Sequence, residues 1–225
     1  SNKGLQKPSG PQPDQHPAPV QLPSCSNPRF PAPAMIFPMR PLSATAAKSA
    51  PWIITHTHEL PLSADDYWHG ILFASDDDAG FAPWHPEIRN IKWAERAPGE
   101  RRARTVEMSH WFFNLLLMGP VTLAEEFDVW EADGPKKRVG FYFSGLSRPT
   151  FLTYEALREE FEVEDVGEGK CRVTRTLAIV PAFLTRYVLG WVVRPMLDQL
   201  FTKDCPRRLE EAVKMKVLPL KYKTE

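Results

Sequence analysis

Cysteine is almost missing from this chain: Cys25, Cys171 and Cys205 are the three among 225 residues. Their odd number argues against a disulfide framework and their spacing does not suit a metal site, so the chain reads as an intracellular protein of a reducing compartment. Long apolar runs are missing as well. A membrane-spanning helix needs about 18 to 20 apolar residues in a row. Trp111 to Met118 is too short, and Ala182 to Phe201 is interrupted by Arg186, Arg194 and Asp198. The sequence therefore predicts a soluble or peripheral protein. It also lacks a glycine-rich loop of the Walker or dinucleotide kind, so nothing in it indicates a nucleotide site. With 28 bases against 28 acids, no basic field marks nucleic acid as a partner.

What is present divides unevenly. The first 50 residues hold 11 of the 23 prolines and carry five bases against one acid. No apolar period runs through them, so they cannot bury enough surface to offset their ordering entropy and read as an extended or disordered leader. Acid-poor and Ser-containing, this leader fits the remnant of an organelle transit peptide, plastid or mitochondrial, or a linker. A polyproline segment also suits an anchor laid along a protein partner. The remaining residues carry 23 bases against 27 acids. At 43% hydrophobic residues, with 13 Phe and 7 Trp, there is material for one core, placed in 51–216 with a tail at 217–225.

Within that span Trp52 to Leu60 alternates as a strand, with His56 and His58 on its apolar face. Ser63 caps a short helix reaching to Phe73, with Asp65 and Asp66 in its first turn. Ser75 to Pro86 reads as a loop. A hairpin comes next, Ile88 to Glu95 and Arg102 to Ser109 around Ala97-Pro98-Gly99. Two longer hairpins turn at Asp133-Gly134-Pro135 and Gly167-Glu168-Gly169, joining Val121–Lys136 to Arg138–Gly145 and Ala156–Gly167 to Lys170–Val180. Past Pro181 a helix runs from about Ala182 to about Lys216, with Phe183, Leu184, Tyr187, Val188, Trp191, Val192 and Met196 at helical spacing and expected to face inward, toward the sheet.

This order, and in particular the Gly-Glu-Gly hairpin feeding Cys171 to Val180 and the proline-opened helix behind it, resembles the START/Bet v 1-like helix-grip superfamily (SRPBCC), which includes polyketide cyclase/dehydrase-like proteins. The resemblance covers roughly Pro51 to Lys216 and contains no catalytic motif. It implies an α+β helix-grip fold: a curved antiparallel sheet of about seven strands wrapped around the long C-terminal helix, enclosing a cavity for a hydrophobic small molecule.

Strand alternation then says which residues point inward. Glu125 interrupts the face of Val121, Leu123, Phe127 and Val129; Glu159 interrupts that of Leu157, Phe161 and Val163; Arg175 sits among Cys171, Val173, Leu177 and Ile179. The turn near Glu168 sets Phe161 opposite Arg175 and Glu159 a diagonal step away. In a helix-grip fold the first strand lies beside the last, which brings His56 or His58 toward Arg175. The candidate ligand-binding set is therefore His56, His58, Glu125, Phe141, Phe143, Glu159, Phe161, Arg175, Tyr187 and Trp191. The same inward charges serve equally as a structural ion pair. His56-Thr57-His58 lacks a definite third ligand, so no metal is assigned, and no cofactor. Asp76-Asp77-Asp78 reads as a solvated loop or cap.

Two further features bear on partners. Trp111 to Met118 is too apolar for an exposed loop, and reads as a buried strand extension or a contact surface for protein or membrane. Pro195 lacks the amide donor a helix interior needs, so a bend near 191–195 is expected. Three functions fit: a carrier of a lipid, isoprenoid, pigment or polyketide; a cyclase/dehydratase-like enzyme using Arg175 with His56, His58 or Glu159; and an interaction subunit of an assembly.

Overall fold

The computed structural model describes residues 36–73, 81–94, 101–110, 119–147 and 154–218. Its strands are β1 (Phe37–Pro38), β2 (Trp52–Leu60), β3 (Ile88–Trp93), β4 (Ala103–Met108), β5 (Val121–Glu131), β6 (Lys136–Leu146), β7 (Tyr154–Gly167) and β8 (Lys170–Pro181). They form one curved, unclosed antiparallel sheet in the order β2-β8-β7-β6-β5-β4-β3, with β1 added beside β6. The first long strand therefore lies against the last, and His56 is the register partner of Arg175. This is a helix-grip α+β fold.

Local chemistry explains the turns and caps. Gly167, Glu168 and Gly169 all take positive φ, 85°, 53° and 69°, so glycines on both sides of Glu168 let the chain reverse in the left-handed region at little cost. The Ser63 hydroxyl accepts from the Asp66 amide at 3.1 Å and caps α2 (Ala64–Tyr67). The chain continues as a π turn over Trp68–Leu72, whose Trp68, Ile71 and Leu72 enter the core.

The structured chain starts earlier than Ala50. β1 hydrogen-bonds to β6, and Met39, Leu42 and Ala47 are buried, the last at the end of α1 (Ala44–Ala47). Leu42 and Ala47 lie on the outer face against Ala156 and Ala178. Buried Arg158 holds this side together: its guanidinium donates to Asp128 at 2.8 Å, Glu160 at 2.6 Å and the Leu42 carbonyl at 3.2 Å. Tyr142 points to the outer face of the sheet yet is buried, with its hydroxyl donating to Glu126 at 2.5 Å.

After Pro181 the chain is helical through Lys214: a π turn at Thr185–Leu189 leads into α3 (Gly190–Gln199), and a second at Leu200–Asp204 separates it from α4 (Cys205–Lys214). The inward stripe is Thr185, Val193, Leu197, Leu200, Leu209 and Val213. The expected facing of this helix is thus corrected. Tyr187 and Trp191 are 64% and 80% exposed, Phe183 is 73% exposed, and none of the three lines the cup. Two apolar stripes share this helix, so periodicity alone cannot choose between them. Each π turn also adds about one residue and rotates the next segment by roughly 100° against an unbroken α-helix. Irregularity falls in those π turns, and α3 runs on through Pro195.

Candidate functional site

The site is built where the inner faces of β4, β5, β7 and β8 each offer one charge. A register shift between Ala124 and Glu125 puts Glu125 opposite Phe143 and beside Arg104 of β4, as bulges do where a side chain must be re-aimed. Arg104 Nε donates to Glu125 Oε2 at 2.5 Å. Arg175 Nε donates to Glu159 Oε1, and Phe161 lies opposite Arg175 in the ladder. All four charged side chains are buried.

The guanidinium groups are also held by aromatic faces, which suit a planar, weakly hydrated cation. Arg175 lies 4.0 Å from the Phe201 ring centre and 5.2 Å from that of Phe161. Arg104 lies 5.2 Å from Phe127 and 5.5 Å from Phe141. Burial pushes the Glu125 carboxyl above its ordinary range although Arg104 pulls the other way. Burial works against the charge on Arg175, and the Glu159 carboxylate more than restores it.

Around these pairs the cup is nearly full. An inner cavity of about 50 Å³ is walled by Phe143, Leu157, Leu177, Leu197, Leu200 and Phe201, with His85, Glu125, Tyr154, Glu159 and Arg175 as its polar groups. That is room for a few waters, against the 300 Å³ or more of a typical small-molecule pocket. Behind Arg175 and Phe201 a separate space of about 10 Å³ touches His56, His58, Tyr67, Trp84 and Cys205. Outside, an open groove of about 460 Å³ runs between Pro86, Glu87, Arg89 and His110 on one side and Met196, Leu200 and Arg208 on the other. Leu200 borders both groove and inner cavity.

The sequence-predicted residues therefore divide. Glu125, Phe143, Glu159 and Arg175 line the inner cavity. Phe141 and Phe161 pack beside the two guanidinium groups. His56 and His58 stack on each other, ring centres 5.3 Å apart, in the smaller space and away from Glu125. Tyr187 and Trp191 lie outside. Trp111 to Met118, Asp76-Asp77-Asp78, the Ala97-Pro98-Gly99 turn, residues 1–35 of the leader and 219–225 of the tail fall outside the described residues.

Sequence reasoning missed one cluster. His85 Nδ1 meets Glu87 Oε2 at 3.0 Å, and Arg208 donates to Glu87 Oε1 at 2.8 Å. Burial alone would depress His85, but Cys205 and Glu87 raise it to about 9. Burial would raise Glu87, yet hydrogen bonds from His85 and Arg208 hold it at about 2. Burial opposes ionisation of Cys205, and His85 and Arg175 together bring its thiol below the ordinary value. His85 and Glu87 stand two apart in a turn, whereas Cys205 and Arg208 come from a distant helix that spacing cannot connect to them.

His58 gives the site a pH signature. Burial first, then the neighbouring His56 and Arg175, push it down to about 4. Between about 4 and the ordinary 6.5 the unfolded chain takes up a proton that the folded one refuses, so stability falls as pH drops through that window. Urea midpoints are expected to decline from about pH 6.5 to about pH 4, and His58→Asn should flatten the decline. Below that, loss of the Glu87 carboxylate adds a second fall as pH approaches about 2.

No family model matches the sequence, and no curated protein matches it. Solved structures do. A START superfamily protein from Mycobacterium smegmatis superposes with a TM-score of 0.51 at 15% identity, covering 73% of this chain and 98% of its own. An aromatase/cyclase from a Streptomyces species gives 0.50 at 16% identity, covering 74% and 93%. In architecture this chain has the START-like helix-grip fold.

Proposed function

We propose that the domain binds a hydrophobic small molecule bearing one neutral polar group, such as a ketone, hydroxyl or quinone oxygen. The observation that carries this reading is the apolar inner cavity whose charged groups each already have a counter-charge, Arg175 with Glu159, Arg104 with Glu125 and His85 with Glu87. A charged head brought there would be buried without a counter-charge, which costs several kcal/mol. A carbonyl or hydroxyl can share a guanidinium N–H or a carboxylate oxygen without upsetting the balance. Apolar burial at about 25 cal/mol per Å² then supplies the affinity.

The inner space must enlarge to take such a guest. Leu197, Leu200 and Phe201 form its helical wall, at the junction of α3 with the second π turn. Outward displacement of Leu200 would join the cavity to the external groove and provide the route in. The test compares three fluorescent probes of equal chain length, a methyl ketone, an alcohol and a carboxylate. Ketone and alcohol are expected to bind at least tenfold tighter than the carboxylate. Equal affinities, or no binding by any of them, would defeat the reading.

One observation favours a second reading, a cyclase-like enzyme. Glu125 is held above its ordinary carboxyl range on the cavity wall, where a retained proton could be given to a substrate carbonyl. If so, Glu125→Gln should abolish turnover of a polyketone and leave ketone-probe affinity within about twofold; unaltered turnover would remove this role.

A further inference from the structure

We infer that the outward stripe of the C-terminal helix is a docking surface for an anionic lipid bilayer. Phe183, Tyr187 and Trp191 recur every fourth residue and are 73%, 64% and 80% exposed. Three such rings set along about 12 Å of helix are not core material left over, because the opposite stripe, Thr185, Val193 and Leu197, already fills the core contact.

The chemistry of the stripe identifies its partner. Arg186 and Arg194 are exposed among the rings, Arg186 lies 5.3 Å from the Tyr187 ring centre, and neither arginine forms an ion pair among the described residues. No acid occurs from Ala182 to Leu197, although acids outnumber bases in residues 51–225 as a whole. This local excess of cations runs against the charge of its domain and complements a negatively charged surface. Phe, Tyr and Trp with arginines are the residues that settle at headgroup depth. Trp191 Nε1 already donates to the Val188 carbonyl at 3.0 Å, so the indole can leave water without stranding a donor. A stable protein interface buries about 800 Å² on each side around a broad apolar centre; a single ridge of three rings offers less, whereas a fluid bilayer closes around a ridge. No helix among the described residues is long and apolar enough to cross a membrane, so the contact is peripheral. The surface stands independently of what the cavity holds.

The experiment is co-sedimentation of the full chain with vesicles of phosphatidylcholine alone or with about 30% phosphatidylserine. Binding to the anionic vesicles is expected, weakening as salt rises. Tyr187→Ser with Trp191→Ser should reduce apparent affinity at least tenfold. Arg186→Gln with Arg194→Gln should reduce it about fivefold per arginine and flatten the salt dependence. Both pairs are exposed, so thermal midpoints should match the parent chain, which separates lost docking from lost folding. Absence of binding would overturn the inference, as would binding that survives both double variants, since the contact would then lie elsewhere. Variants that instead dissolve a self-associated form seen by sedimentation velocity, with no vesicle binding in the parent, would also overturn it in favour of a protein interface.

Discussion

Replacing Arg175 by Leu is expected to destabilise the domain by about 3 to 5 kcal/mol. Both Arg175 and Glu159 are 6% exposed, so removing the guanidinium leaves a carboxylate in the cup without its partner. Loss of the packing between Arg175 and the Phe201 ring adds to the cost. Arg175→Leu combined with Glu159→Leu should recover most of the loss, because two apolar side chains replace both charges and leave neither stranded. Urea unfolding at about pH 7 measures both. If the single variant costs no more than the double, the pair does not carry the charge balance argued for this cavity. Burial makes Arg175→Leu chiefly a stability probe, so the double variant is the one suited to binding experiments.

A chain beginning at residue 51 is expected to be several kcal/mol less stable than one beginning at Ala34. The shorter chain loses the buried side chains of Met39 and Leu42, together with β1 and the Leu42 carbonyl that accepts from Arg158. Fully burying an aliphatic side chain of this size contributes about 1.5 to 3 kcal/mol, and a guanidinium deprived of an acceptor adds to the deficit. Equal thermal midpoints for the two chains would show that residues 36–50 contribute nothing to the fold.

Much of the architecture was legible because hairpins are local. Gly167-Glu168-Gly169 located the β7–β8 turn, and a bulge between Asp165 and Gly167, which pairs with Lys170, shifts the ladder by one residue so that Phe161 comes opposite Arg175 and Glu159 within reach. What escaped notice depended on contacts distant in the chain. Arg104 alternates with Val106 on β4 and is the register neighbour of Glu125, but on a short strand near the sheet edge a charge reads as solvent-facing. Met39 and Leu42 sit among prolines, whose density suggested a leader without structure; only the small outer-face residues Ala156 and Ala178 hinted that something covers that side. On the C-terminal helix the apolar stripe containing the aromatic rings drew the inward assignment by its helical spacing. In the fold, smaller Thr185, Val193 and Leu197 fit against the sheet and the rings face outward.

Occupancy of the cup tests the central claim most directly. Native mass spectrometry of the protein purified from its own source, with denaturation and identification of any released molecule, reads it in one step. The account predicts a stoichiometric apolar molecule carrying a neutral oxygen function and no ionised head. A released fatty acid or phospholipid would contradict the charge-balance argument. A chain that comes off empty, and stays empty after incubation with the ketone and alcohol probes, would contradict ligand binding altogether.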